Sequence, residues 1–171
     1  MTNRNLVIEN ARVFFKNFSG EPDMYNPHGG KRQFAVEIPN DIVEAVKADG
    51  WNVKLGKPWV DKETGELMDP DNPDRYLMYV NYQPNSKKRP NVTLITGKKR
   101  IKLCGGTNTD PDAASVLDHM RFSQVDLVIR PYDHGGSGTG RSAHLETGFF
   151  TEELSPLEEN YANLDYEHAA F

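Results

Sequence analysis

The 171-residue sequence is poor in three things: it has one cysteine, two tryptophans and no long apolar run. Cys104 has no second thiol to pair with, which excludes an internal disulfide and a zinc site built on cysteines. No apolar stretch approaches the ~18 residues that a membrane span needs, and the opening "MTNRNLVIENARVFF" has neither a basic leader nor a small-residue cleavage site. No membrane association is expected, and a cytoplasmic location is. The five histidines show no metal-ligand spacing, and "DPDNPD" at 69–74 lacks the glycine and distal glutamate of a calcium loop. "HGGSGTG" at 134–140 lies between two strand patterns with no helix after it, so it reads as a hairpin loop rather than a phosphate cradle. No catalytic residue, metal or cofactor is assigned, and the chain is read as non-enzymatic.

An overall positive excess is also missing: the net charge is -5. Its distribution changes what that figure implies. Residues 152–171 carry six acids and no Lys or Arg, which leaves residues 1–151 with 20 cations against 19 acids. The cations gather in "KR" at 31–32, "KKR" at 87–89 and "GKKRIK" at 97–102, and segregated charge of this kind says more about partners than the sum does.

What the chain does have is a period of two. Runs at 6–18, 32–38, 75–82, 91–96, 124–132 and 143–151 alternate as strands, and 51–60 is a weaker run broken by Gly56 and Pro58. Two short helices fit between them. One spans 40–50, capped by Asn40 and Asp41, with Ile42, Val43 and Val46 on one face and a stop at Gly50. The other spans 110–120, with Asp110 as cap and Val116 and Leu117 inward. Short strands, long loops and few helices predict a mainly β fold, an OB-fold-like antiparallel barrel, over residues 1–151. Residues 152–171 read as an acidic, disordered tail in which "PLEENYANL" could form one helix.

The first strand places Arg12, Phe14, Lys16 and Phe18 on one face and Val7, Ala11, Val13 and Phe15 on the other. Alternating cations and rings suit single-stranded nucleic acid, since cations neutralise phosphates and rings stack on any base. The loop after it brings Tyr25, Lys31 and Arg32 to the same region, and its length favours a functional segment. Lys87, Lys88 and Arg89 and then Lys98, Lys99 and Arg100 flank one strand, as a basic track along a backbone would. Trp59, Tyr76 and Tyr82 complete the stacking candidates. Trp51 and Tyr79 are further rings, and about half of all these rings are expected to be structural.

The segments "ENARVFFKNFSG", "YNPHGGKRQFAVEIP", "ADGWNVK", "VDLVIRPYDH" and "LETGFFTEEL" together resemble the single-stranded DNA-binding proteins of tailed bacteriophages. That resemblance implies an oligonucleotide-binding barrel that coats and protects single strands without sequence preference during replication, recombination and repair in the host cytoplasm. It also implies a C-terminal peptide that docks on replication or recombination proteins and competes with DNA for the basic groove. Asp165, Tyr166, Glu167 and Phe171 would form that peptide. A homodimer is among the assemblies this reading allows. The sequence departs from the family pattern in placing His168, Ala169 and Ala170 before the last ring, and in the acidic insertion at 61–74, which is expected to point away from DNA. Two other readings are open: a metal-dependent DNA-processing nuclease using Asp110, Asp112 and Asp118, and a virion or interaction protein without a DNA site.

Overall fold

The computed structural model describes residues 4–24, 27–58, 60–70, 73–133 and 140–158. The chain is mainly β. Its strands are β1 (Leu6–Ile8), β2 (Val13–Asn17), β3 (Gln33–Ile38), β4 (Lys54–Gly56), β5 (Arg75–Asn81), β6 (Asn91–Thr96), β7 (Lys99–Cys104), β8 (Phe122–Asp133) and β9 (Arg141–Glu152). Helix α1 covers Val43–Ala48, and a 3-10 helix covers Ala113–His119.

The strands form one sheet whose main path is β1-β8-β9-β5-β3-β2, with β4 on β5 and the β6–β7 hairpin on β9. The hydrogen-bonded path is not closed, and it is not wholly antiparallel. Strand β9 pairs antiparallel with β8 along its length, while its other edge is shared by two parallel partners. Val80 and Asn81 of β5 face Ala143 and His144, and β6 takes over from Asn91 opposite Thr147 to Ile95 opposite Thr151.

The run predicted as one strand over 6–18 divides in two. Asn10 adopts a left-handed φ of 51°, after which the chain leaves β8 and pairs with β3. Helix α1 starts after Ile42 without a side-chain cap, and it buries Val43 and Val46 as expected. In the 3-10 helix Leu117 is inward but Val116 is exposed, because three residues per turn cannot bring both to one face. Strand β7 is absent from the strand runs predicted above. It is an exposed edge, so it lacks the apolar alternation by which strands are recognised.

Phe18, Phe34, Tyr82 and Phe150 form the centre of the core. Phe18 stacks on Phe34 at 5.4 Å and meets Tyr82 and Phe150 edge-on at 5.1 and 5.6 Å. Ile8, Val36, Ile38, Met78, Val80, Val125, Leu127, Ile129 and Leu145 pack around them. Along β9 the inward set changes from Ala143 and Leu145 to Gly148 and Phe150, a change of parity. The register explains it: Val128 faces Thr147 but Ile129 faces Leu145, so Glu146 is an extra residue that rotates the rest of the strand.

Candidate nucleic-acid interface

A second bulge shapes the outer face of the sheet. In β2, Phe14 faces Ala35 but Asn17 faces Gln33, so β2 carries one residue more than β3. Phe15 takes up the difference with φ 53°, a left-handed conformation that is costly for a bulky L-residue and concentrates at functional sites. The bulge reverses the expected faces. Phe15, predicted inward, is 68% exposed; Phe18, predicted to stack on bases, is 0% exposed in the core.

Phe15 stands over a groove of about 1100 Å³. Strand β5 forms part of its floor. Arg75, Leu77, Tyr79 and Asn81 point to the outer face of β5, and Met78, Val80 and Tyr82 point into the core. Tyr79 is thereby 39% exposed and lines the groove with Phe15. Tyr79 lies opposite Ala35, whose other neighbour across the ladder is Phe14.

Three lysines line the same groove: Lys16, Lys31 and Lys54. The Lys54 amine lies 5.9 Å from the centre of the Tyr79 ring. Lys16 is half-buried; its amine lies 4.4 Å from the centre of the Phe122 ring and donates to the Met120 carbonyl. Burial lowers its affinity for a proton, with the nearby Asp118 carboxylate opposing that effect. Asp118 also accepts backbone N–H bonds from Phe18 and Ser19 at 2.6 and 3.1 Å, which anchors the end of β2 to the 3-10 helix. Glu21 and Asp23 lie along the same lining. Arg141 closes one end of the groove, with its side chain fully buried between Asp49 and Asp133.

Of the sixteen residues expected to bind DNA, the groove gathers Lys16 and Lys31. Tyr82 is 2% exposed, and its hydroxyl, beside Cys104, is pushed well above the usual tyrosine range by burial. Neither Tyr82 nor Phe18 has a face to offer a base. Tyr76 shares the inward parity, packs against the core and carries the Lys47 amine 4.3 Å from its ring centre. Phe14 is half-buried beneath the Arg75 guanidinium at 4.7 Å, and Arg12 lies 3.8 Å from Glu37. Arg12, Glu37 and Arg75 line a separate cavity of about 270 Å³ with Asp69 and Asp74.

Arg32 is engaged too, donating to the Phe18 and Pro111 carbonyls at 2.9 and 2.7 Å and pairing with Asp112 at 2.9 Å. Arg89 donates to the Asn108 carbonyl. Lys87 and Lys88 are exposed in the loop before β6, and Lys98, Lys99 and Arg100 are exposed at the β6–β7 turn. The register puts the start of β6 four residues along β9 from Ala143, ~13 Å, and its end eight residues along, ~27 Å. Tyr25, Trp59, Asp165, Tyr166, Glu167 and Phe171 lie outside the described residues.

Sequence reasoning missed Phe15, Lys54 and Tyr79 as groove residues. Tyr79 carried a signal, since its parity is that of Arg75 and Asn81; Phe15 carried none, because a bulge is invisible to periodicity. The acids of the nuclease reading are each occupied: Asp110 accepts from the Asp112 backbone N–H at 2.9 Å, Asp112 pairs with Arg32, and Asp118 caps Phe18 and Ser19. Among the described residues no group of three or more His, Cys, Asp or Glu is placed to hold a metal ion, and no helix is long and apolar enough to cross a membrane.

Solved structures similar to this one include the single-stranded DNA-binding protein of bacteriophage Enc34 as a C-terminal truncation. The TM-score is 0.47 at 16% identity, covering 89% of this chain and 87% of that one. The same Enc34 protein in complex with ssDNA gives a TM-score of 0.46 at 13% identity, covering 91% and 94%. The single-stranded DNA-binding protein gp2.5 of bacteriophage T7 gives 0.31 at 14% identity, covering 93% and 94%. No curated protein matches the chain. Over residues 1–171 the sequence matches the family model described as "Putative phage ssDNA-binding domain", and the chain belongs to that family of phage single-stranded DNA-binding domains.

Proposed function

We propose that the chain binds single-stranded DNA in the groove between β2, β3, β5 and the start of β9, without catalysing a reaction on it. The observation that carries this reading is the pairing of two exposed rings, Phe15 and Tyr79, with Lys16, Lys31 and Lys54 in one groove. Rings of this kind stack on bases regardless of identity, and the lysines neutralise phosphates. Family membership supports the same ligand. Lys87 and Lys88 extend the path by ~13 Å, and Lys98, Lys99 and Arg100 serve as a distal contact for longer strands.

Binding of this type protects single strands during phage replication and recombination. The acidic segment from residue 152 onward competes with DNA for the lysines and, through Asp165, Tyr166, Glu167 and Phe171, recruits a replication or recombination protein. The test is fluorescence anisotropy of labelled oligo-dT. Phe15→Ala and Tyr79→Ala each weaken binding by about fivefold or more, the loss of one stacked base. Unchanged affinity in both folded variants would refute the groove.

A further inference from the structure

The groove holds a feature that stacking and phosphate contacts do not use. Gln33 and Asn81 face each other across the β3–β5 ladder and both line the groove. Directly opposite residues bring their Cβ atoms to ~5 Å, so the two carboxamides form a pair on the floor. Asn17 continues the row on β2, but its amide is already used, donating to the Glu21 carbonyl at 3.0 Å and accepting from the Gly20 N–H at 2.9 Å. Gln33 and Asn81 have no side-chain hydrogen bond to another described residue. The pair lies two residues along from Ala35 and Tyr79, ~7 Å from the ring's strand position, within reach of the edge of a base stacked on Tyr79.

A carboxamide presents a donor and an acceptor side by side. Every unpaired base does the same on its Watson–Crick edge: adenine and cytosine place an amino donor beside a ring-nitrogen acceptor, and guanine and thymine place a carbonyl acceptor beside a ring N–H donor. An amide that can turn over therefore makes two hydrogen bonds with any of the four bases. In a duplex those edges are occupied by the complementary strand.

We infer that Gln33 and Asn81 read the Watson–Crick edges of bases stacked on Tyr79, and so select single strands over duplex without selecting a sequence. The inference rests on the groove reading above and assigns it a specificity determinant. The lysines cannot supply this selectivity, because both forms of DNA carry phosphates. Single-strand recognition through exposed base edges is general chemistry for nucleic-acid modules.

The probe is an oligo-dT in which every thymine is methylated at ring nitrogen 3. This removes the edge donor and leaves phosphates and ring faces in place. The full chain is expected to bind it about fivefold or more weakly than oligo-dT, the worth of a two-point base contact. The Gln33→Met/Asn81→Leu variant, its fold checked by circular dichroism, is expected to bind both oligonucleotides with the same reduced affinity and to prefer single strands over duplex less than the unaltered chain does, the remainder coming from stacking on Phe15 and Tyr79. Equal binding of both oligonucleotides by the unaltered chain overturns the inference, and this arm needs no variant to fold. Discrimination that persists in the double variant overturns the assignment to these two residues. Phe15→Ala, measured alongside, separates the two levels: if it weakens both oligonucleotides while methylation has no effect, the groove stands and only the edge contact falls.

Discussion

Arg141 and Asp133 face each other across the β8–β9 ladder and meet at two points, Nε to Oδ1 at 2.8 Å and Nη2 to Oδ2 at 3.2 Å. The same guanidinium reaches Asp49 beyond α1 at 3.1 Å and lies 5.4 Å from the centre of the Trp51 ring. Three segments are thus tied by one buried cation at the end of the groove. Arg141→Ala removes the buried cation that Asp49 and Asp133 share and should destabilise the fold by ~3 kcal/mol, read from the urea midpoint. Asp133→Asn should cost less, because Asp49 still pairs with the guanidinium.

Phe15 separates stability from binding. Its left-handed backbone costs ~1 kcal/mol, and its exposed ring contributes little packing. Phe15→Gly should therefore raise stability by up to about 1 kcal/mol while weakening oligo-dT binding about fivefold or more. Thermal melting and anisotropy on the same sample check both signs.

Phe18 should behave in the opposite way. Its ring is enclosed by Phe34, Tyr82 and Phe150, so Phe18→Ala should cost ~3–5 kcal/mol by leaving a cavity. The fraction that remains folded should bind oligo-dT with near-normal affinity, which a stacking role for Phe18 would not permit.

Salt dependence distinguishes the groove from the longer track. Three lysines neutralising three phosphates give a slope of log K against log salt of about -2, and Lys87 and Lys88 with the three cations at the β6–β7 turn would take it to about -5.6. An oligonucleotide too short to span ~27 Å should show the shallower slope and a long one the steeper. Lys31→Gln should reduce either slope by about 0.7.

Lys16 makes stability depend on alkaline pH. Its folded-state value lies below the usual 10.5, chiefly through burial. Between that lowered value and 10.5 the unfolded chain holds a proton that the native state has released, so stability rises with pH across this window. The difference in urea midpoint between the unaltered chain and Lys16→Met should therefore move in favour of the unaltered chain as pH approaches 10.5. A difference that stays flat would mean Lys16 is not desolvated.

How much of this was legible in the sequence follows from which signals are local. The strands at 33–38, 75–81, 91–96, 122–133 and 141–152 were marked by apolar alternation, although β3 and β6 each bury three consecutive residues, Phe34, Ala35 and Val36 and then Val92, Thr93 and Leu94. The outward set of β5 carried a signal that was not used: Arg75 and Asn81 share the parity of Tyr79, whereas Tyr76 and Tyr82, taken as stacking candidates, share that of Met78 and Val80. The face of Phe15 carried none, since one extra residue in β2 reverses every later side chain and depends on how β3 pairs with it. Nor could charge alone show that Arg32 and Arg89 are held by backbone carbonyls while Lys54, outside any cationic cluster, lines the groove.

Strand β9 is the common partner of β8, β5 and β6, and it comes last among the strands of the described residues. A ribosome releases β5 and β6 long before the strand that joins them, so the two must wait with unpaired edges. Assembly that depends on such distant pairings is slow. Arg141 and the groove end it closes are made late for the same reason. A chain still in synthesis has most of its cations exposed but no finished groove, and the acidic stretch follows directly behind the strand that completes it.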